Sequence, residues 1–211
     1  MKLTLSFYRR DDVVELSRDF IGKVIYTRKE GIITAGIITE TEAYNGISDK
    51  ASHAFGGRRT SRTEIMYASG GLAYVYLCYG IHSLFNIVSG KKDVPQAILV
   101  RAIYPVIGED TMRLRRRRPR STSSELCIGP GTVTQALGIH YSDTGLDLRG
   151  NEVWIEDKRI KINPSMIQSG PRVGVDYAGK DALLPYRFRV LHHQLPGIIG
   201  KSVFGKSIIS S

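Results

Sequence analysis

Between residues 23 and 44 the chain reads as two strands joined at a tight turn. This hairpin constrains the fold more than any other stretch. Residues 23–28 are β-prone, Glu30-Gly31 punctuates them, and Ile32–Tyr44 returns as the partner strand. In the returning strand Glu40, Glu42 and Tyr44 alternate with Thr39, Thr41 and Ala43. Side chains alternate sides along a strand, so both acids and Tyr44 share one face.

The remaining pattern extends that start into an antiparallel plan. Asp11 and Asp12 can cap a helix whose apolar positions Val13, Leu16 and Phe20 fall on one side, with Gly22 ending it. Residues 45–71 are rich in Gly, Ser, Thr and Arg and too long for an ordinary connection, which predicts a functional loop. Residues 73–79 and 81–88 form a second hairpin around Gly80, and 97–106 a further strand. Residues 109–118 read as a helix with acids in the first turn and arginines in the last, matching the helix dipole. After a break at 119–124, Gly129-Pro130-Gly131 leads into a short helix ending at Leu137. Residues 152–155 and 159–162 predict another hairpin, and 185–191 a last strand. No repeat or linker divides residues 1–211, so the expectation is one α+β domain with a mostly antiparallel sheet and flanking helices.

Charge narrows the function. The chain carries 30 Lys and Arg against 20 Asp and Glu, a net +10, in an otherwise ordinary composition of 42% hydrophobic residues. Such an excess predicts a polyanionic partner, most simply a nucleic-acid backbone. No run approaches the roughly 18 apolar residues of a spanning helix, and the N-terminal residues lack a signal peptide's apolar core. Cys78 and Cys127 make no redox or metal-type pair, so a reducing cytoplasmic compartment is expected, without membrane association. His192 and His193 are adjacent, His82 and Cys78 lack spaced partners, and no triphosphate-binding loop is present. Neither a metal nor a cofactor is therefore expected.

Several residues are out of place in their strands. Glu42 and Glu40 are rivals for one role: a carboxylate beside aromatic rings can activate water and stabilise a cationic sugar. The plain alternative is two glutamates on the solvent face of an edge strand. A glycosidase pair is disfavoured, because residues i and i+2, about 7 Å apart, project from one side of a strand. Tyr44, His53 and Tyr76 are individually ordinary. Together they could stack a flipped base and bond its edge. Tyr79, beside Gly80 at a hairpin tip, is either an exposed turn aromatic or a wedge, and alternation sets it opposite Tyr74 and Tyr76. Asn86 interrupts an apolar strand and requires hydrogen-bond partners. Arg101 does likewise and requires an acid, with Glu40 or Glu42 as candidates. Arg58, Arg59 and Arg62 lie in the long loop, and Arg113, Arg115–Arg118 and Arg120 form a second cluster. A charge run is often only a solvated face, but the net charge requires some of these to meet phosphates.

These residues, in this order, resemble the alkyladenine (3-methyladenine) DNA glycosylases. The motifs are Glu40-Thr41-Glu42-Ala43-Tyr44, Ser52-His53-Ala54-Phe55-Gly56-Gly57-Arg58, Tyr74-Val75-Tyr76 with Tyr79-Gly80, Asn86, Val100-Arg101-Ala102, Glu125 to Gly131, and Gly170-Pro171-Arg172-Val173-Gly174-Val175. The resemblance covers nearly the whole chain, and its compact length looks like the bacterial members. It implies a curved-sheet fold akin to the C-terminal domain of formyltransferases. It also implies a monomeric, monofunctional base-excision-repair enzyme acting on damaged purines in double-stranded DNA, associated with the nucleoid through DNA binding. The site it implies has Glu42 as the base and Arg101 beside the reactive water. Tyr44, His53 and Tyr76 form the base pocket, Asn86 excludes guanine, Tyr79 intercalates, and Arg58 and Arg62 sit on the backbone. Main-chain groups of residues 172–175 complete the water site. Thr132 stands where the family's lysine is expected, and His82-Ser83 replace bulkier residues. The rival is a basic nucleic-acid-binding module without hydrolysis.

Overall fold

A computed structural model describes residues 1–199; the stretch 200–211 of the expected single domain lies outside the described residues. Strands β1 (Val24–Lys29) and β2 (Ile32–Tyr44) pair antiparallel from Val24↔Ile37 to Lys29↔Ile32. Glu30 and Gly31, at φ 54° and 79°, form the two-residue loop between them. Two successive left-handed residues match the right-handed twist of a hairpin.

Strands β3 (Ala73–Cys78), β4 (His82–Ser89) and β5 (Gln96–Ile107) follow. They are succeeded by β6 (Val153–Glu156), β7 (Gln168–Gly170) and β8 (Arg187–Arg189). The sheet order is β3-β4-β5-β2-β1-β6, with β8 on β2 and β7 on β8. Strand β2 organises it. One edge carries β5 along its length, while the other gives its first half to β1 and its last residues, Glu40 to Glu42, to β8. The β2–β5 register shifts at Glu40, and such irregularities bend a strand. Gly36 permits close approach: a Cβ there would lie 2.6 Å from the Ile103 side chain.

Helix α1 (Leu5–Tyr8) precedes α2 (Val13–Asp19), whose N-cap Asp12 accepts from the Val14 and Glu15 amides. Beyond β5 come α3 (Glu109–Arg116), α4 (Ser123–Leu126) and α5 (Pro130–Leu137). One sheet face buries Ile38, Ala43, Val75, Phe85, Ile87, Ile98 and Val100 against Leu16 of α2, its C-cap Phe20, Met112 of α3 and Val133 and Leu137 of α5. Burial of these side chains is the main driving force for the assembly. The opposite face packs Tyr74, Val88 and Ala97 against Ala54, Met66 and Tyr67 of the 45–71 loop, and beside this cluster lies the cavity.

The expected α+β architecture with an antiparallel, curled sheet is the observed one. Three local expectations are corrected. Residues 159–162 form no strand, and β6 pairs instead with β1. Arg159 turns the chain at φ 57°, with its amide donating to Asp157 at 2.7 Å, while Ile160 and Ile162 are half-buried against the core without pairing. Helix α4 begins inside the expected break and runs two residues past it, nucleated by a Thr122/Glu125 capping box. The last strand spans only Arg187–Arg189, and its partner β7 was not foreseen.

Candidate active site

Pairing aligns a row of side chains across four strands. Tyr74 lies opposite Asn86, Asn86 opposite Leu99, and Leu99 opposite Glu42. Directly opposed residues point to the same face, so residues as far apart in sequence as Glu42 and Leu99 come into one row. Tyr44, Tyr76 and Arg101, two positions along their strands, extend it. The loop of residues 45–71 folds over this row and contributes Ala51, His53 and Met66. The segment 173–177 closes another side. The result is a cavity of about 230 Å³ that opens to solvent.

Glu42 is fully buried. Its Oε2 accepts from the Tyr44 hydroxyl at 2.9 Å, and its Oε1 accepts from the Val173 amide at 2.8 Å. Arg101 Nη1 lies 3.4 Å from Oε1. Burial pushes the Glu42 carboxyl above its ordinary value, while Arg101, the Val173 N–H and the Tyr44 hydroxyl pull it back toward the ion. Glu40 is a different group. Its Oε1 is shared at 2.9 Å by Arg101 Nε and Arg187 Nε. A carboxylate held between two guanidiniums is an anchor, whereas Glu42 sits directly behind Tyr44, Arg101 and Val173 of the cavity lining. Arg101 bridges both acids, so the expected salt bridge is a double one. Burial opposes the arginine's charge, but Glu42 and Glu40 outweigh it and hold its pKa up.

The aromatic wall is built from both sides of the long loop. His53 Nδ1 lies 2.8 Å from the Tyr74 hydroxyl, and its ring meets Tyr76 edge-on at 4.7 Å. Arg62 Nη2 is 3.4 Å from His53 Nε2. Arginine only donates, so Nε2 accepts and Nδ1 carries the proton toward Tyr74. Burial, with Arg62 and Arg58 nearby, lowers the His53 pKa to about 4. The ring is therefore neutral at physiological pH and does not repel a cationic base. Burial raises the pKa of Tyr44, Tyr74 and Tyr76, keeping their hydroxyls protonated. Asn86 is buried, donating to the Tyr74 and Leu84 carbonyls at 3.2 Å.

Tyr79 corrects the alternation argument. The strand ends at Cys78 and Tyr79 is the first turn residue, at φ 51° with Gly80 at φ 72°, so strand parity no longer applies. Its ring is 92% exposed and lines the same cavity as Tyr74 and Tyr76. The arginines divide. Arg58 is exposed and has no ion pair among the described residues, whereas Arg59 is held by Glu64 and Asp93. Arg62 lies with its guanidinium 4.7 Å over the Tyr76 ring. In the second cluster Arg113 pairs with Glu109 and Asp110, and Arg115 and Arg116 bond backbone carbonyls. Arg117, Arg118 and Arg120 are exposed. At the positions departing from the family pattern, the Thr132 hydroxyl donates to the Gly129 carbonyl, and His82 packs beside Gly131 at the start of α5.

Sequence reasoning missed how the segment that supplies the Val173 amide is held. The Arg172 side chain is buried between the Tyr44 and Tyr186 rings, at 4.9 and 5.3 Å. It pairs with Asp49 and donates to the Ala43 and Asp181 carbonyls. One guanidinium thus ties together β2, the long loop and the 172–183 segment. Neither Asp49 nor Arg172 stands in a patterned strand, so nothing local pairs them. Among the described residues, no group of three or more His, Cys, Asp or Glu side chains is placed to hold a metal, and no helix is long and apolar enough to cross a membrane.

The model of the methylpurine-DNA glycosylase family matches residues 6–194. A protein of Chlamydia abortus is 46% identical over 187 residues, covering 89% of this chain and 96% of the relative. One from Bacillus cereus (strain G9842) is 38% identical over 201 residues, covering 92% and 97%. One from Clostridium acetobutylicum is 37% identical over 208 residues, covering 95% and 100%. All three bear the name "Putative 3-methyladenine DNA glycosylase". With the match spanning the strands, loops and cavity described above, the chain belongs to the methylpurine-DNA glycosylase family, enzymes that hydrolyse N-glycosyl bonds in DNA.

Proposed function

We propose that the protein is a monofunctional DNA glycosylase of base excision repair that flips a damaged purine out of duplex DNA and hydrolyses its N-glycosidic bond. The observation that carries this reading is Glu42, a carboxylate without exposed surface that bonds Tyr44 and Val173 of the cavity lining and lies 3.4 Å from Arg101, a third lining residue. Burying a charge is costly unless it is paired and hydrogen-bonded. Here three partners favour the ion against burial, leaving a base stronger than an ordinary carboxylate.

In this reading the purine stacks among Tyr44, His53 and Tyr76. Glu42 takes a proton from water as the water oxygen bonds to C1′. The C1′–N bond breaks, and its electron pair leaves with the base. The carboxylate charge also favours the oxocarbenium-like sugar that develops on the way. Asn86 stands where the 2-amino group of guanine would collide with it. Tyr79 fills the gap in the duplex, and Arg58 and Arg62 hold the strand by its phosphates. The product is an abasic site. No lysine acts as a nucleophile, so strand nicking by the purified enzyme would overturn that part.

The names of the relatives favour 3-methyladenine as a substrate; the family resemblance adds hypoxanthine and ethenoadenine, and 7-methylguanine as a poorer substrate, since its 2-amino group meets Asn86. A cationic alkylpurine is already a good leaving group, whereas hypoxanthine needs more help from the site. The test is release of free base from methylated duplex DNA by wild type and Glu42→Gln, without added metal. Wild type is expected to release base, and the variant to bind DNA but lose at least about 100-fold in rate. Equal release would remove Glu42 as the base. Salt-sensitive binding without release from any of these lesions would leave a nucleic-acid-binding module instead.

A further inference from the structure

We propose that Tyr177 is a nucleotide-binding residue whose ring covers the sugar of the flipped nucleotide at the cavity mouth, on the segment whose Val173 amide holds Glu42. The inference rests on the base-flipping reading above and extends it to a residue outside the expected site.

Among the described residues, the two most exposed aromatic rings are Tyr79 at 92% and Tyr177 at 71%, and both line the same cavity. An exposed ring at the rim of a DNA-repair pocket is contact area not yet used. Aromatic rings supply large stacking surfaces at low entropic cost, and nucleotides are common partners for them. Tyr79 belongs to the hairpin tip. Tyr177 belongs to another element and has no role in the mechanism so far.

Its mounting is stiff even though the ring is exposed. The neighbouring Ala178 is buried in a small cluster with Ala51 and Val175, and its amide donates to the Val175 carbonyl at 2.8 Å. Asp181 is held twice: its carboxylate accepts from the Lys50 amide at 2.9 Å, and its carbonyl from Arg172 at 3.1 Å. The Tyr177 hydroxyl donates to the Ala51 carbonyl at 3.2 Å. Packing of the ring against the protein is therefore not what keeps it in place. A ring held on an anchored segment yet left open to solvent is preorganised for a partner, because ordering it has little further cost.

Position selects the part of the nucleotide. The segment that carries Tyr177 also donates the Val173 amide to Glu42 at 2.8 Å. Glu42 must face C1′, where base and sugar join. With the base among Tyr44, His53 and Tyr76, the sugar lies toward the 173–177 segment, which lines the cavity and carries the exposed Tyr177 ring. Covering the sugar there also keeps bulk water from diluting the field of Glu42 and Arg101.

The test compares wild type, Tyr177→Phe and Tyr177→Ala for binding to lesion-bearing and undamaged duplexes and for base release from the lesion duplex. The phenylalanine variant keeps the ring but loses its bond to Ala51, and is expected to fall between wild type and the alanine variant on the lesion duplex. The alanine variant is expected to lose roughly tenfold in affinity for that duplex and little for undamaged DNA. Its KM should rise more than its kcat falls. A general loss of folding would weaken both duplexes together, so the ratio isolates contact with the flipped nucleotide. If wild type releases base while Tyr177→Ala keeps the full preference for the lesion, the assignment of Tyr177 fails and the glycosylase reading stands. If wild type releases base from none of the lesions, the glycosylase reading fails and this inference with it.

Discussion

Glu42 is where stability and activity pull in opposite directions. Burial raises its pKa from the ordinary 4.5, so the folded protein holds this proton to higher pH than the unfolded chain does. Its contribution to stability is fully present below the unfolded value and is lost as pH rises through the folded one. Base release needs the opposite state, because only the ion accepts a proton from water. Glu42→Gln should therefore raise Tm at pH 8, with the gain shrinking as pH falls toward 4.5. Calorimetry across that range checks it, and a variant with a lower Tm than wild type at pH 8 contradicts it. In wild type, the base-release rate should fall on the acid side with a midpoint above the ordinary carboxylate range. The legible residues were those whose type conflicts with their strand: Glu42, Asn86 and Arg101 are polar where the pattern asks for apolar groups. Asp49 and Arg172 conflict with nothing nearby, so their buried pairing left no trace in local pattern. The choice between Glu40 and Glu42 was likewise closed to alternation, which places both on one face. Only their partners separate them.

At the scale of elements, the hairpin tip carries backbone strain at a residue the mechanism uses. Tyr79 at φ 51° occupies a region that disfavours side chains, at a cost of roughly 1 kcal/mol. Glycine adopts that conformation freely, and the exposed ring makes little packing contribution. Tyr79→Gly should therefore leave unfolding free energy within about 1 kcal/mol of wild type. Base release from duplex should drop at least tenfold. Urea denaturation and a release assay separate the two effects, and unchanged release would remove Tyr79 as the wedge. Elements with a long repeat or a sharp cap were readable: the β1–β2 hairpin, α2 behind Asp12, and α5 behind Gly129-Pro130. Elements of three residues, such as β7 and β8, carry too little alternation to stand out. Ile160 and Ile162 mimic a strand because burial, not pairing, sets their spacing.

Across the whole molecule the net charge of +10 is unevenly available. Arg59, Arg113 and Arg149 are consumed by acids on the protein's own surface, while Arg58 remains exposed. Arg58→Ala should reduce the salt slope of duplex affinity by about one. Arg59→Ala should leave the slope nearly unchanged, and titrations at several salt concentrations distinguish the two. Equal effects would mean that the Arg59 ion pairs open on binding DNA. Alternation along the strands was enough to set the sheet's antiparallel character and to say which residues share a face, because a strand's two-residue period is local. The cavity is a different matter. Glu42 meets Val173 across 131 positions, and Asp49 meets Arg172 across 123. Local periodicity carries no distance between segments so far apart. Those distances arise only when β2 bends, β5 and β8 take its two edges, and the 45–71 and 172–183 segments close over one face.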